Sequence, residues 1–217
     1  MRLEGQRDAV VTACRSLAVA GLVRGTSGNV SVLDRVAGLV AASPSGTDYD
    51  TMATEDVAVV SLDGDVLEGR LEPTSELGLH LAVYRARVDV GAVVHTHSTF
   101  ATTFAVLRRE VPAVHYVLAR AGSSVRVAPY ERYGSAELAE ACVATLGQDY
   151  GVLLANHGAV AVGGDLAGAM AVAEAVETCA ELAWRAELSG RPHVLDAAEI
   201  AAVGKQFGGY GRARRRS

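Results

Sequence analysis

The chain has 217 residues, half of them hydrophobic and 21% charged, with a formal net charge of −5. This predicts a single folded domain over residues 1–217 with a sizeable core, and it excludes a disordered chain. The acidic balance argues against broad nucleic-acid or anionic-membrane binding, and no stretch reaches the roughly 18 uninterrupted apolar residues of a membrane span.

The opening "MRLEGQRDAVV" carries charges where a signal peptide needs an apolar core. Apolar positions at helical spacing then predict a helix over residues 3–23. "GTSGN" at 25–29 reads as a turn, and "VSVLD" and "GLVAAS" as a β-hairpin leading into a second Gly-containing loop, "SPSGTDYD". Another strand pair is expected around the Asp-Gly turn at 63–64. A helix starts near Ser75 and runs through "ELGLHLAVYRARV", followed by the strand "AVVHTH" and the helix "STFATTFAVL". "RVAPY" reads as a short strand, and "SAELAEACVATL" as a helix with Ser135 at its N-cap. "GVLLAN" and "AVAVG" form a hairpin turning at "NHG", and helices follow over 165–189 and about 196–204. Hairpins mixed with helices predict an α/β fold with a largely antiparallel sheet. A basic tail from about 208, with Arg212, Arg214, Arg215 and Arg216, is expected to be flexible and solvated. The cysteines, Cys14, Cys142 and Cys179, form no CxxC pair and read as buried thiols of a reducing, cytoplasmic compartment.

His95 and His97 stand two positions apart in "VVHTHST", on the same face of a strand. They fit either a hydrogen-bonded pair in the core or two nitrogen donors for a cation. His157, in "NHG", would add a third imidazole and leave a fourth position open, as in a catalytic rather than a structural zinc site. Glu76, at the start of the helix leading into the histidine strand, fits a capping acid. Beside a metal it fits a ligand or a proton acceptor equally. Glu72 competes for that role, but it precedes Pro73 and reads as extended chain. The loops "TSGN" (26–29), "SPSG" (43–46) and "PTS" (73–75) together offer N–H groups, hydroxyls and an amide to a phosphate. None has the spacing of a nucleotide-binding loop. Among the remaining histidines, His80 reads as a packing or supporting residue on the Glu76 helix, His115 as shaping the next loop, and His193 as surface.

Eight segments in register, "GTSGNVSV", "SPSGTDYD", "EPTSELGLHLAVY", "AVVHTHS", "VPAVHYV", "APYERYGS", "NHGAV" and "GGYG", resemble the class II (zinc-dependent) aldolase/adducin-head family, nearest its L-fuculose-1-phosphate aldolase branch. The resemblance implies a three-layer α/β/α fold and a homotetramer with active sites at subunit interfaces. It implies zinc held by His95, His97, His157 and Glu76, with Glu76 becoming the base when substrate displaces it. Gly28, Asn29, Ser45, Gly46, Thr74 and Ser75 would line a phosphate site. Tyr116 would be the acid, reaching the site from a neighbouring subunit. Tyr133 would stand at the aldehyde end and Tyr210 would close over the site.

The implied reaction is reversible aldol cleavage of a 1-phosphoketose, such as L-fuculose 1-phosphate, to dihydroxyacetone phosphate and a short aldehyde, L-lactaldehyde. A 5-deoxysugar phosphate fits the pattern as well, since the aldehyde end is its least constrained part. No Schiff-base lysine is required, and the only lysine, Lys205, lies outside every motif. Within the family the alternatives are a sugar-phosphate 4-epimerase, methylthioribulose-1-phosphate dehydratase, and a non-catalytic adducin-head-like interaction module.

Overall fold

A computed structural model describes residues 1–207. The first helix, α1 (Glu4–Val19), ends four residues before the expected boundary. Gly21, at φ 71°, reverses the chain there, and the Leu22 N–H donates back to the Leu17 carbonyl at 3.0 Å. Leu22 and Val23 remain buried, which is why their apolar spacing read as helix. Two hairpins follow: β1 (Asn29–Asp34) with β2 (Leu39–Ala42), then β3 (Ala58–Ser61) with β4 (Val66–Glu68).

Next come α2 (Leu77–Ala86), β5 (Ala92–Thr96) and α3 (Thr99–Leu107). Beyond β6 (Arg126–Ala128), α4 (Ala136–Leu146) starts on Ser135, whose side chain accepts from the Leu138 N–H as expected of an N-cap. The chain continues through β7 (Gly151–Leu154), β8 (Gly158–Gly163), α5 (Leu166–Ser189) and α6 (Ala197–Phe207). The last helix runs three residues past its expected end, and short 3-10 helices at Thr54–Asp56 and Tyr116–Arg120 had no signal in the periodicity. No helix among the described residues is long and apolar enough to cross a membrane.

The strands form one eight-stranded sheet in the order β4-β3-β2-β1-β5-β8-β7-β6, antiparallel except for the pair β6–β7. Strand alternation sorts the core into two layers. Val30, Ala41, Ala92, Val94, Leu153 and Ala161 pack with α1, α3 and α5. Their neighbours Val40, Ala42, Val60, Val93, Val152, Leu154, Val160 and Val162 pack with α2 and α4. The expected three-layer α/β/α arrangement follows, with helices on both faces of a largely antiparallel sheet. His95 continues the Val93 side of β5 and so meets the α2 layer, whose first residues hold Glu76.

Candidate metal centre and cleft

His95 and His97 share a face, as alternation requires, although β5 ends at Thr96 and His97 lies just beyond it. His157 comes in from the tight β7–β8 turn. There Asn156 takes φ 55°, a left-handed conformation that asparagine tolerates, and the His157 N–H donates to the Leu154 carbonyl at 3.0 Å. Gly158 is required by contact: a Cβ there would lie 2.3 Å from the Thr96 carbonyl and 2.8 Å from the His97 ring. The three imidazole centroids lie 4.8–5.0 Å apart.

Glu76 sits at the N-cap position of α2 but makes no side-chain cap hydrogen bond. Its carboxylate turns instead to the imidazoles, which removes the capping reading. Oε2 lies 3.1 Å from His95 Nε2, and Oε1 lies 3.4 Å from His157 Nε2. His95 Nε2 is 2.9 Å from His97 Nε2. The four ligand atoms all fall within 4.8 Å of one another. Donors about 2 Å from a common centre in a tetrahedral site lie roughly 3.3 Å apart, so this spacing suits a single divalent cation.

The donor chemistry points the same way. The Ala159 carbonyl, 3.0 Å from His95 Nδ1, can only accept, so Nδ1 carries the proton and a neutral His95 presents a bare lone pair at Nε2. That lone pair faces a carboxylate oxygen, and Glu76 Oε1 is buried with no hydrogen-bond partner. Acceptors packed against acceptors need a cation between them. Burial depresses the His97 and His157 pKa values to about 4, so both rings are neutral ligands at pH 7. Burial acts to raise the Glu76 pKa. The Asn29 amide, which donates to Oε2, acts against it by favouring the charged form.

These groups open into a cleft of about 340 Å³. Gly28, Asn29, Ser45, Gly46, Thr74 and Ser75 all line it, with Glu76, His97, His157 and Tyr133. Three contacts assemble its walls. The Ser45 N–H donates to the Glu72 carbonyl and the Thr74 N–H to the Ser43 carbonyl, pairing the second and third loops. The Tyr49 hydroxyl donates to the Gly28 carbonyl at 2.7 Å and holds the first loop in place. Gly28 takes φ 78° and lies where a Cβ would come 2.8 Å from the His95 carbonyl. No lysine or arginine among the described residues lines the cleft, so hydroxyls, amides and N–H groups form its polar wall.

His95 lies behind this surface and is 1% exposed. Tyr116 is 52% exposed and does not line the cleft of its own chain; its ring lies against His115 and Phe207. Tyr210 and the arginine tail lie outside the described residues. Tyr130, Glu131 and Asn156 also line the cleft. Their signal was present in "APYERYGS" and "NHG", but period and residue type did not separate them from ordinary turn residues.

The chain belongs to the class II aldolase and adducin N-terminal domain family, whose model matches residues 8–184. It is 43% identical over 212 residues to the 5-deoxy-D-ribulose 1-phosphate aldolase of Bacillus thuringiensis serovar kurstaki, covering 98% of this chain and 100% of that one. It is 35% identical to the L-fuculose phosphate aldolase of Escherichia coli, covering 93% of this chain and 94% of that one. A solved L-fuculose 1-phosphate aldolase superposes with a TM-score of 0.91 at 38% identity, covering 94% of this chain and 96% of that one.

Proposed function

We propose that the protein is a metal-dependent aldehyde-lyase that reversibly cleaves a 1-phosphoketose to dihydroxyacetone phosphate and a short aldehyde. The observation that carries this reading is the set of four donors, Glu76, His95, His97 and His157, placed beside a cleft walled by hydroxyl and amide loops. Zinc suits three neutral imidazoles and a carboxylate. Held there, it supplies Lewis-acid stabilisation of the negative charge that develops at the ketone end when the carbon–carbon bond breaks.

The chain's own groups do the rest. Gly28, Asn29, Ser45, Gly46, Thr74 and Ser75 bind the phosphate and so fix the sugar's orientation, which lowers the entropic part of the barrier. In the synthetic direction Glu76 takes the α-proton of dihydroxyacetone phosphate. Tyr116 gives a proton to the aldehyde oxygen as the new bond forms, and cleavage reverses both transfers. Tyr116 is exposed and does not line its own cleft, which supports the reading that it serves the cleft of a neighbouring copy in a homotetramer. Tyr133, 68% exposed at the cleft rim, stands on the aldehyde side; the role of closing over the site falls to Tyr210 by the family resemblance alone.

The higher identity to a relative named for 5-deoxy-D-ribulose 1-phosphate, 43% against 35% for one named for L-fuculose phosphate, favours the shorter substrate. Its C4–C5 fragment leaves as acetaldehyde, whereas L-fuculose 1-phosphate leaves L-lactaldehyde. A coupled assay for dihydroxyacetone phosphate release from both sugars, with and without a chelator, tests the reading. Chelator-sensitive release with a higher kcat/KM on the 5-deoxypentulose is expected. Release insensitive to metal removal overturns the metal role, and no release from either sugar by zinc-loaded protein overturns the aldolase assignment.

A further inference from the structure

Between α2 and the sheet runs a buried line of polar side chains that ends on Glu76. Glu76, His80 and Tyr84 repeat every four residues and so share one face at α2, while Asn29 and Ser31 share one face of β1. The two stripes meet. Asn29 Nδ2 donates to Glu76 Oε2 at 3.0 Å, and Asn29 Oδ1 lies 2.6 Å from His80 Nε2. His80 Nδ1 lies 2.7 Å from Ser31 Oγ, and Ser31 Oγ lies 2.7 Å from the Tyr84 hydroxyl. His80 and Ser31 are fully buried, and Asn29, Tyr84 and Glu76 nearly so. The surroundings are Val93, Leu79, Val83 and the rest of the α2 layer. Polar groups there are costly unless every one is matched.

Matching them leaves one arrangement. Asn29 Oδ1 can only accept, so His80 Nε2 donates to it. Burial lowers the His80 pKa to about 3, so the ring is neutral and, with its proton on Nε2, Nδ1 is bare. Ser31 therefore donates to Nδ1, and its oxygen accepts from the Tyr84 hydroxyl. Each proton in the line points toward Glu76. A flipped Asn29 amide would set its oxygen against the Glu76 carboxylate and its NH2 against the His80 N–H.

We infer that His80 is a positioning residue for the proposed base: its Nε2–H locks the Asn29 amide so that Nδ2 pins Oε2 of Glu76 and leaves Oε1 to accept the proton. Oε1 is the oxygen that carries no hydrogen bond. The inference rests on the reading of Glu76 as the base, and its test separates the two.

The enzyme is compared, fully metallated, as wild type, His80→Gln and His80→Leu. Glutamine keeps a donor toward Asn29 and an acceptor toward Ser31, and leucine keeps volume alone. On 5-deoxyribulose 1-phosphate, His80→Leu is expected to lose roughly 10- to 100-fold in kcat, with KM within about twofold, and His80→Gln to recover most of that loss. Equal kcat in the two variants, or a loss carried by KM, overturns the positioning role. Metal content and thermal midpoint of each variant identify a loss that comes only from unfolding or demetallation. If His80→Leu does not fold, the wild type decides by itself. Two-bond 1H–15N correlations on histidine-labelled protein are expected to show His80 neutral with its proton on Nε2, and an Nδ1–H tautomer or an imidazolium overturns the inference. This last readout needs no turnover, so it stands even if the aldolase assay fails.

Discussion

Arg7 and Glu76 are both charged and both buried, yet their surroundings differ in kind. Arg7, 1% exposed, donates from Nε to the Thr54 carbonyl at 3.0 Å, from Nη2 to the Glu55 carbonyl at 3.1 Å and from Nη1 to Glu68 at 2.7 Å. Its three nitrogens are all matched to acceptors, and the result ties α1 to the β4 edge of the sheet. Around Glu76 the acceptors outnumber the protons: one oxygen has no partner, and a histidine lone pair faces the other. A closed set of donors and acceptors holds a fold together, whereas a surplus of acceptors is resolved only by a cation or a substrate proton. That difference separates a closed structural cluster from an open one without reference to any relative.

The contrast breaks most directly at the open cluster. His95→Ala is expected to lose both metal and activity, and full metal occupancy in that variant would refute the ligand assignment. Glu76→Gln is expected to keep the metal and the fold but lose about 100-fold or more in kcat, since an amide cannot accept the proton. Near-normal turnover would remove Glu76 as the base.

At the closed cluster the effect moves from rate to stability. Arg7→Met leaves the Thr54 and Glu55 carbonyls unmatched and is expected to cost roughly 2–3 kcal/mol in urea unfolding. Activity per folded molecule should not change; a parallel fall in kcat would erase the distinction between the clusters.

Acid sharpens it further. The folded pKa values of His80, at about 3, and of His97 and His157, at about 4, lie below the ordinary histidine value of 6.5. The unfolded chain therefore binds more protons as pH falls below about 6.5, and stability present above that pH is lost on the way down. For the metal-free protein the slope is expected to reach up to about 1.4 kcal/mol per pH unit for each of these imidazoles. A urea midpoint that stays flat from about pH 6.5 to 4.5 would contradict the burial argument. The smallest effect is at the thiols. Burial pushes Cys14, Cys142 and Cys179 up to about 12, so an aromatic disulfide reagent should find no reactive thiol in the folded protein and all three after unfolding. Fast labelling of the native state would show that one of them reaches solvent.

Most element boundaries were legible because period and caps state them locally: Ser135 opens α4, and the turn at "NHG" separates β7 from β8. The end of α1 was not, because Leu22 and Val23 stay buried after the chain has left the helix. The histidine pair was legible from alternation in β5, and the loops from their residue types. The function of Glu76 was open, because an acid at a helix start has the same local signature whether it caps the helix or turns away from it.

By itself, then, the sequence determined what depends on neighbours along the chain: the α/β class, the shared face of His95 and His97, the chemistry of the loops, and through eight motifs in register the family. The tertiary structure decided what depends on neighbours across space. It brought His157 and Glu76 to the pair, showed Oε1 without a partner, left Tyr116 outside the lining of its own cleft, and ran the line from Tyr84 to Glu76. Hydrogen-bond capacity and lone-pair direction are fixed by residue type, but which acceptor meets which donor is set by sheet order, and β1 meets β5 only after the chain has passed through three other strands.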